Sequence, residues 1–240
     1  MPGYRSLYTV EIMQSQASFT QKMRNILRFA ILTGCLIALA GCFRTHAVQE
    51  VSGKLGGKEC AAVLTPGAEE TLVLYEVTAR GRREMWRGIP RSLNPWKIQI
   101  ADVDGDGEEE IAVGVYKKAR FHPVMAKRLF VYGWDGRDAY PKWLGSRLSR
   151  PFKDFTFADS GDGTKLIAIE ETKDGWNELA VYRWDGFGFT REWTGCRARQ
   201  LSDLSVRASP GGQTITVKEG PSTRTYAWNG NALELKEADS

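Results

Sequence analysis

A tyrosine followed eleven residues later by a tryptophan recurs along this 240-residue chain. The pair occurs three times, and a fourth tyrosine has glutamate at the corresponding position. The four copies are Tyr75 with Trp86, Tyr132 with Trp143, Tyr182 with Trp193, and Tyr226 with Glu237. Their tyrosines lie 57, 50 and 44 residues apart, a period typical of chains in which each repeat is one supersecondary unit. The chain is therefore expected to contain four similar units.

Each unit also contains turn residues at fixed places. Asp-Gly or Asn-Gly follows the tyrosine in three units, and these dipeptides tolerate the positive φ of a tight hairpin. The hairpin turns are Asp135-Gly136, Asp185-Gly186 and Asn229-Gly230, and glycines at 56, 105, 161 and 211 mark a second turn upstream. About four short strands per unit is the pattern of propeller blades, which bury an apolar face by stacking on a neighbour. We predict an all-β fold, a small β-propeller of about four four-stranded repeats, near 46–91, 92–146, 151–196 and 200–237.

One loop of the second unit carries alternating carboxylates. Asp102, Asp104 and Asp106 alternate, Gly107 follows, and Glu110 closes a nine-residue frame. Alternating oxygen donors with a glycine at the sixth place suit a hard cation, because the chain must curl tightly to bring them together. An EF-hand shares the first six positions but needs a glutamate at the twelfth, which here is valine, and helices on both sides. This loop instead joins two strand-like segments.

The loop, together with a degenerate copy at 159–169, resembles the FG-GAP/VCBS-type repeats of integrin-like β-propellers. The resemblance implies one structural Ca2+ ion, bound by the side chains of Asp102, Asp104, Asp106 and Glu110 and by the backbone carbonyl of Glu108. Glu110 stands where the family usually has aspartate. The other copies lack most of the carboxylates, so we expect a single calcium ion.

The N-terminal segment predicts export. An apolar run at 29–40 follows three basic residues and is short for a membrane span. It ends in Leu39-Ala40-Gly41-Cys42, which resembles a bacterial lipobox and implies a lipid on Cys42. We assign 1–22 to a possible misassigned upstream start, 23–41 to a lipoprotein signal peptide and 42–240 to the propeller. The protein is then exported and anchored to the cell membrane or outer membrane of a bacterium. A plain secretory signal with a coincidental cysteine is the alternative.

The second unit also has a longer connection between its middle strands, and this connection is basic. Its candidate partner-binding residues are Lys117, Lys118, Arg120, Lys127 and Arg128. An anionic lipid, an acidic polysaccharide or an acidic protein would fit such a surface, and an ordinary solvated loop is the alternative. A second basic cluster surrounds Trp86. Outside the first 42 residues basic and acidic side chains nearly balance, so nucleic acid is not an expected partner.

No glycine-rich phosphate loop, nucleophile elbow or serine–histidine pair is evident, so we do not expect an enzyme. The predicted function is a membrane-anchored lipoprotein that acts as a calcium-stabilised binding or scaffold module at the cell envelope, for an unidentified envelope protein or polysaccharide. One alternative is a polysaccharide lyase or glycosidase, which needs paired acids roughly 5–10 Å apart at one cavity. Another is a subunit of an envelope assembly complex, which needs an exposed apolar patch. Whether Cys60 and Cys196 pair is left open, with free thiols expected.

Overall fold

The structure is a computed structural model that describes residues 47–145, 147–210 and 212–239. Cys42, the signal segment at 23–41 and residues 1–22 lie outside the described residues, so the assignments made for them stay predictions. Within the described ranges, no helix is long and apolar enough to cross a membrane.

Four antiparallel sheets of four strands make up the described chain, and each sheet uses four consecutive strands. Blade 1 contains β1 (Gln49–Leu55), β2 (Lys58–Leu64), β3 (Glu70–Thr78) and β4 (Gly81–Pro90). Blade 2 contains β5 (Lys97–Ala101), β6 (Glu110–Ala119), β7 (His122–Trp134) and β8 (Ala139–Leu144). Blade 3 contains β9 (Phe152–Asp159), β10 (Thr164–Glu171), β11 (Asn177–Trp184) and β12 (Phe189–Ala198). Blade 4 contains β13 (Leu201–Ser209), β14 (Gly212–Glu219), β15 (Ser222–Asn229) and β16 (Ala232–Asp239). The prediction of a four-bladed, all-β propeller is confirmed.

The repeated tyrosine marks the same irregularity in every blade. Pairing between the third and fourth strands shifts register beside Tyr75, Tyr132, Tyr182 and Tyr226. Such a shift places an extra residue in one strand, bends the strand and changes which way the following side chains point. Tyr132, Tyr182 and Tyr226 are buried, each in the core that joins its blade to the preceding one. The tyrosine that repeats in the sequence therefore marks a register shift that repeats in the structure.

The repeated tryptophan packs over a glycine two residues later. A Cβ atom added at Gly88, Gly145 or Gly195 would lie 2.4, 2.1 or 2.4 Å from the ring of Trp86, Trp143 or Trp193. These distances leave no space for any side chain, so each tryptophan needs its glycine. The Trp-x-Gly spacing is visible in the sequence of three of the four units and is a further signal of the repeat.

Three buried apolar clusters join consecutive blades. The first joins blades 1 and 2 through residues such as Leu74 and Val113, the second joins blades 2 and 3, and the third joins blades 3 and 4. Cys60 lies in the first cluster and Cys196 packs against the third, and both are free thiols. Burial raises the pKa of Cys60 to about 11, so its thiol stays protonated at neutral pH.

The last blade differs from the others on the face turned away from its neighbour. Ile215 and Val217 on β14 pack toward blade 3, whereas the alternate positions are Thr214 and Thr216. Thr216 pairs with Thr225 on β15, and its hydroxyl lies 2.6 Å from that of Ser205. Among the described residues, no buried apolar cluster joins blade 4 to blade 1. Thr214 and Thr216 are 9% and 5% exposed, so this second face of blade 4 is polar but buried.

Candidate functional site

The acid loop (residues 102–110) connects β5 to β6 and is curled by its own carboxylates. Gly105 and Gly107 have φ of 77° and 90°, a conformation that favours glycine. The two oxygens of Asp102 accept hydrogen bonds from the amides of Gly105 and Gly107, at 2.7 and 3.0 Å. Asp106 accepts one from the amide of Glu108 at 2.8 Å. Backbone amides of the loop thus hold the carboxylates of Asp102 and Asp106.

Three of the predicted ligands come together. Carboxylate oxygens of Asp102, Asp104 and Asp106 all lie within 4.8 Å of one another, so this group could hold a metal ion. Oδ1 of Asp104 is buried and has no hydrogen-bond partner. An unpaired buried carboxylate oxygen is costly, and coordination of a cation would remove that cost. The donor set therefore fits a hard cation.

The other two predicted ligands lie differently. Glu108 is exposed. Glu110 is 2% exposed, and its Oε2 accepts a hydrogen bond from the amide of Val103 at 2.8 Å. Burial raises the pKa of Glu110, and the hydrogen bonds from Lys142 and from Val103 oppose that effect. Glu110 thus closes the base of the loop, beneath the three aspartates.

Sequence reasoning missed Lys142, which is the main cationic group of this site. Its Nζ lies 2.5 Å from Asp104, 2.6 Å from Glu110 and 3.7 Å from Asp106. Burial alone would lower the pKa of Lys142, but the hydrogen bonds to Asp104 and Glu110 outweigh it and raise the pKa. The ammonium therefore stays charged and neutralises part of the loop. Its position directly before the repeated Trp143 was the available signal, because that places it on β8 beside β7.

The basic connection of blade 2 is a hairpin rather than a loop. Strands β6 and β7 continue to Ala119 and His122, which pair across a two-residue turn. Strand β7 has 13 residues, whereas the third strands of the other blades have 8 or 9. We call residues 116–128 the basic hairpin. Its pairing shifts register between Lys117 and Ala119, which changes the alternation of exposed and buried positions near the turn.

The five predicted partner-binding residues have different environments. Lys118 and Arg120 are exposed, and Lys117 is half-buried with its Nζ 5.5 Å from the centre of the Phe130 ring. Lys127 lies over Trp96 at 4.0 Å and donates a hydrogen bond to the carbonyl of Lys153. Burial lowers the pKa of Lys127, and the nearby charge of Asp154 opposes this. The exposed cations of the hairpin are therefore Lys118 and Arg120, which lie at or next to its turn.

Arg128 braces the hairpin from inside. Its side chain is 1% exposed, and its Nη2 lies 2.8 Å from Nδ1 of His122. The guanidinium also donates to the carbonyls of Val124, His122 and Lys117, at 2.9, 3.3 and 3.3 Å. Arg128 therefore cannot reach a partner from this position, and it holds both strands of the hairpin in register. Burial, with repulsion from Arg147, lowers its pKa.

Three arginines of the second basic cluster form ion pairs. Arg82 binds Glu50 at 2.6 Å, Arg87 binds Glu84 at 2.8 Å, and Arg83 binds Glu76. Exposed pairs of this kind contribute little to stability, but they offset much of the positive charge of the cluster, in which Arg80 and Arg91 are also exposed. The two basic regions of the sequence therefore differ, and an unbalanced positive surface remains at the hairpin of blade 2.

No protein-family model matches the chain, and no curated protein matches it either.

Proposed function

We propose that the protein is an exported, lipid-anchored binding module of the cell envelope that works through blade 2, with Ca2+ held in the acid loop. The observation that carries the proposal is that the two ends of this blade carry opposite charge. An acid loop stands at one end of β6, and an unbalanced basic hairpin stands at the other. Propeller strands are used for packing between blades, so loops and strand extensions are where binding is placed.

Calcium is the cation that suits the acid loop. Its carboxylates are flexible oxygen ligands, and Ca2+ accepts six to eight such ligands in irregular geometry, whereas Mg2+ requires an octahedron and retains more water. Asp102, Asp104 and Asp106 supply the ligands, and the ion would bring loop carboxylates to a common centre. Thermal unfolding of the protein should shift upward in calcium relative to chelator, and Asp104→Ala should remove the shift. Identical unfolding curves in calcium and in chelator would remove the ion from the proposal.

The lipid anchor accounts for the predicted location. Cys42 follows the apolar run directly, and its replacement by serine should move the protein from the membrane fraction to the soluble exported fraction. Mass spectrometry of the mature N-terminus should find a diacylglycerol on Cys42. An unmodified cysteine, or cleavage elsewhere, would contradict the anchor.

The binding role is tested with three cations near the turn of the basic hairpin, of which Lys118 and Arg120 are exposed and Lys117 is half-buried. Changing Lys117, Lys118 and Arg120 to glutamate should weaken capture of envelope partners and flatten the salt dependence of capture. The control changes three exposed cations elsewhere, Arg80 and Arg137 in turns and Lys236 on β16, to glutamate. Equal capture by both variants would remove the hairpin from the proposal. Hydrolysis or elimination of an envelope polysaccharide by the purified protein would instead support the alternative of a polysaccharide-active enzyme.

A further inference from the structure

The tip of the basic hairpin exposes large apolar side chains. Phe121 is 85% exposed, Val124 is 55% exposed and Met125 is 41% exposed. Tyr116, at the base of the tip, is 43% exposed. Phe121 lies in the two-residue turn of the hairpin, Val124 and Met125 follow on β7, and Tyr116 lies on β6. We call the tip of the hairpin around these exposed residues the apex. Apolar patches held at a protruding tip are unusual on a soluble surface and mark an interaction site.

The charge around this apex is of one sign. No aspartate or glutamate occurs between Glu110 and Asp135, which is the whole length of β6 and β7 beyond the acid loop. Lys118 and Arg120 flank the apex, the guanidinium of Arg120 lies 5.5 Å from the Phe121 ring, and Arg147 is exposed nearby. The acids of neighbouring elements are paired: Asp154 binds Lys97 at 2.6 Å, and Glu171 binds Lys153 at 3.5 Å. The cations next to the apex are therefore not compensated by acidic side chains of the hairpin or by these acids of neighbouring elements.

The hairpin is built to hold this shape. Arg128 donates hydrogen bonds to the carbonyls of Lys117, His122 and Val124, which lie on both strands below the apex. A buried arginine is costly to desolvate, and here its hydrogen bonds offset that cost. These internal hydrogen bonds hold the conformation of the tip. The apolar residues are therefore presented in a preorganised arrangement.

We propose that the tip of the basic hairpin inserts into the headgroup layer of an anionic lipid bilayer, with Phe121, Val124 and Met125 below the headgroups and Lys118 and Arg120 among them. Strand β7 is four residues longer than the longest third strand of the other blades. At about 3.3 Å per residue this adds about 13 Å, which exceeds the roughly 5–10 Å that an interfacial segment penetrates. The blade itself can remain in water.

The shape of the tip favours a bilayer over a protein partner. Protein hot spots are desolvated in complementary pockets, and their anchors are surrounded by a contact rim. Here the apolar apex is the end of a single two-stranded hairpin, and the exposed cations Lys118 and Arg120 are next to it, as lysine and arginine are at a membrane interface. This inference rests on the proposed binding role of the hairpin and names the lipid surface as its partner. It would keep blade 2 facing the membrane to which Cys42 is predicted to attach.

The test uses the full chain with the photo-reactive residue p-benzoylphenylalanine in place of Phe121. The control places it at Phe187, which is 82% exposed in the turn between β11 and β12. Each protein is reconstituted in vesicles of phosphatidylglycerol and phosphatidylcholine, illuminated, and searched for lipid adducts by mass spectrometry. We expect about tenfold more adduct at position 121 than at 187, because one buried large apolar side chain shifts partition by at least that factor. The yield at 121 should fall in vesicles of phosphatidylcholine alone and with Lys118→Glu and Arg120→Glu.

A second variant tests whether Phe121 itself, and not the photo-reactive residue in its place, brings the tip into contact with lipid. With the photo-reactive residue at Val124, Phe121→Asp should lower the lipid adduct about tenfold while thermal unfolding stays unchanged, since Phe121 is exposed. Equal adduct at 121 and 187, or none at 121, would overturn the inference. Cross-linking of position 121 to an envelope protein in cells, without lipid adducts, would also overturn it and would leave the binding module intact. Lipid adducts together with unchanged partner capture after charge reversal would support the inference and contradict the proposed protein-binding surface.

Discussion

Blades 2 and 3 carry the same ion pair in opposite orientation. Glu110 begins β6 and pairs with Lys142 on β8 at 2.6 Å, whereas Lys165 on β10 pairs with Glu192 on β12 at 3.0 Å. The positions correspond, because the residue after each, Ile111 or Leu166, pairs with the repeated tyrosine of its blade. Both inner members are almost fully buried, at 2% and 3% exposed. The fold therefore keeps a buried charge at this place and allows its sign to change.

The orientation of the pair decides the charge of the loop in front of it. In blade 2 the carboxylates of Asp104, Asp106 and Glu110 share one ammonium, that of Lys142, and Asp102 lies beside the other two aspartates. In blade 3 the carboxylates of Asp162 and Glu192 share Lys165, and Glu192 also binds Arg183 at 2.9 Å. Blade 2 is left with excess negative charge, and blade 3 is nearly balanced. The loop of blade 2 could therefore hold a metal ion, whereas in blade 3 the chain itself supplies the cations.

The largest effect is expected from reversing the buried member of the pair in blade 2. Glu110→Lys places a second ammonium beside Lys142 in a buried position and should lower the free energy of unfolding by about 3 kcal/mol. Adding Lys142→Glu copies the orientation of blade 3 and should recover at least about half of that loss. Urea unfolding in chelator measures both values.

The same exchange in blade 3 is the matched control. Lys165→Glu alone should destabilise the protein, and Lys165→Glu with Glu192→Lys should recover part of the stability. If neither double variant is more stable than its single variant, the pairs do not contribute as units, and the comparison between the blades loses its basis.

The sequence predicted the fold because its signals are local. Each repeated tyrosine sits beside a register shift, and each Asp-Gly or Asn-Gly turn follows within a few residues, so four strands per unit could be counted from the chain alone. The three aspartates of the acid loop could also be predicted, because they are close in sequence. Lys142 is harder to predict, since it reaches Glu110 from 32 residues away through the pairing of β6, β7 and β8, and only its place before the repeated Trp143 points to it.

The basic hairpin shows a second limit of sequence reasoning. Lys118 and Arg128 are both cations of one connection, yet the first is exposed and the second is buried. The register shift between Lys117 and Ala119 breaks the simple alternation of faces, so charge alone could not separate a surface residue from an internal brace.

A smaller effect is expected from removing the ammonium of blade 2. Lys142→Met leaves Glu110 buried without its cation, and in chelator this should cost about 1–2 kcal/mol of unfolding free energy. Calcium should bind this variant about tenfold more tightly, because the ammonium no longer repels the ion at close range. Calorimetric titration with calcium measures the affinity. Lys165→Met in blade 3 should destabilise the protein without changing calcium affinity, and weaker calcium binding by Lys142→Met would show that Lys142 orients the ligands rather than competing with the ion.

The smallest change in stability is expected at two exposed aspartates that occupy similar places in the two loops. The side chain of Asp106 is 54% exposed in blade 2, and that of Asp162 is 61% exposed in blade 3. Without calcium, Asp106→Asn and Asp162→Asn should each change the free energy of unfolding by less than about 0.5 kcal/mol, since exposed carboxylates contribute little. With calcium the two should separate. Asp106→Asn removes a charged ligand and should lower calcium affinity about tenfold, whereas Asp162→Asn should leave it unchanged because Lys165 already serves that loop. Equal loss of affinity in both variants would mean that the ion responds to the overall charge of the protein and not to the acid loop of blade 2.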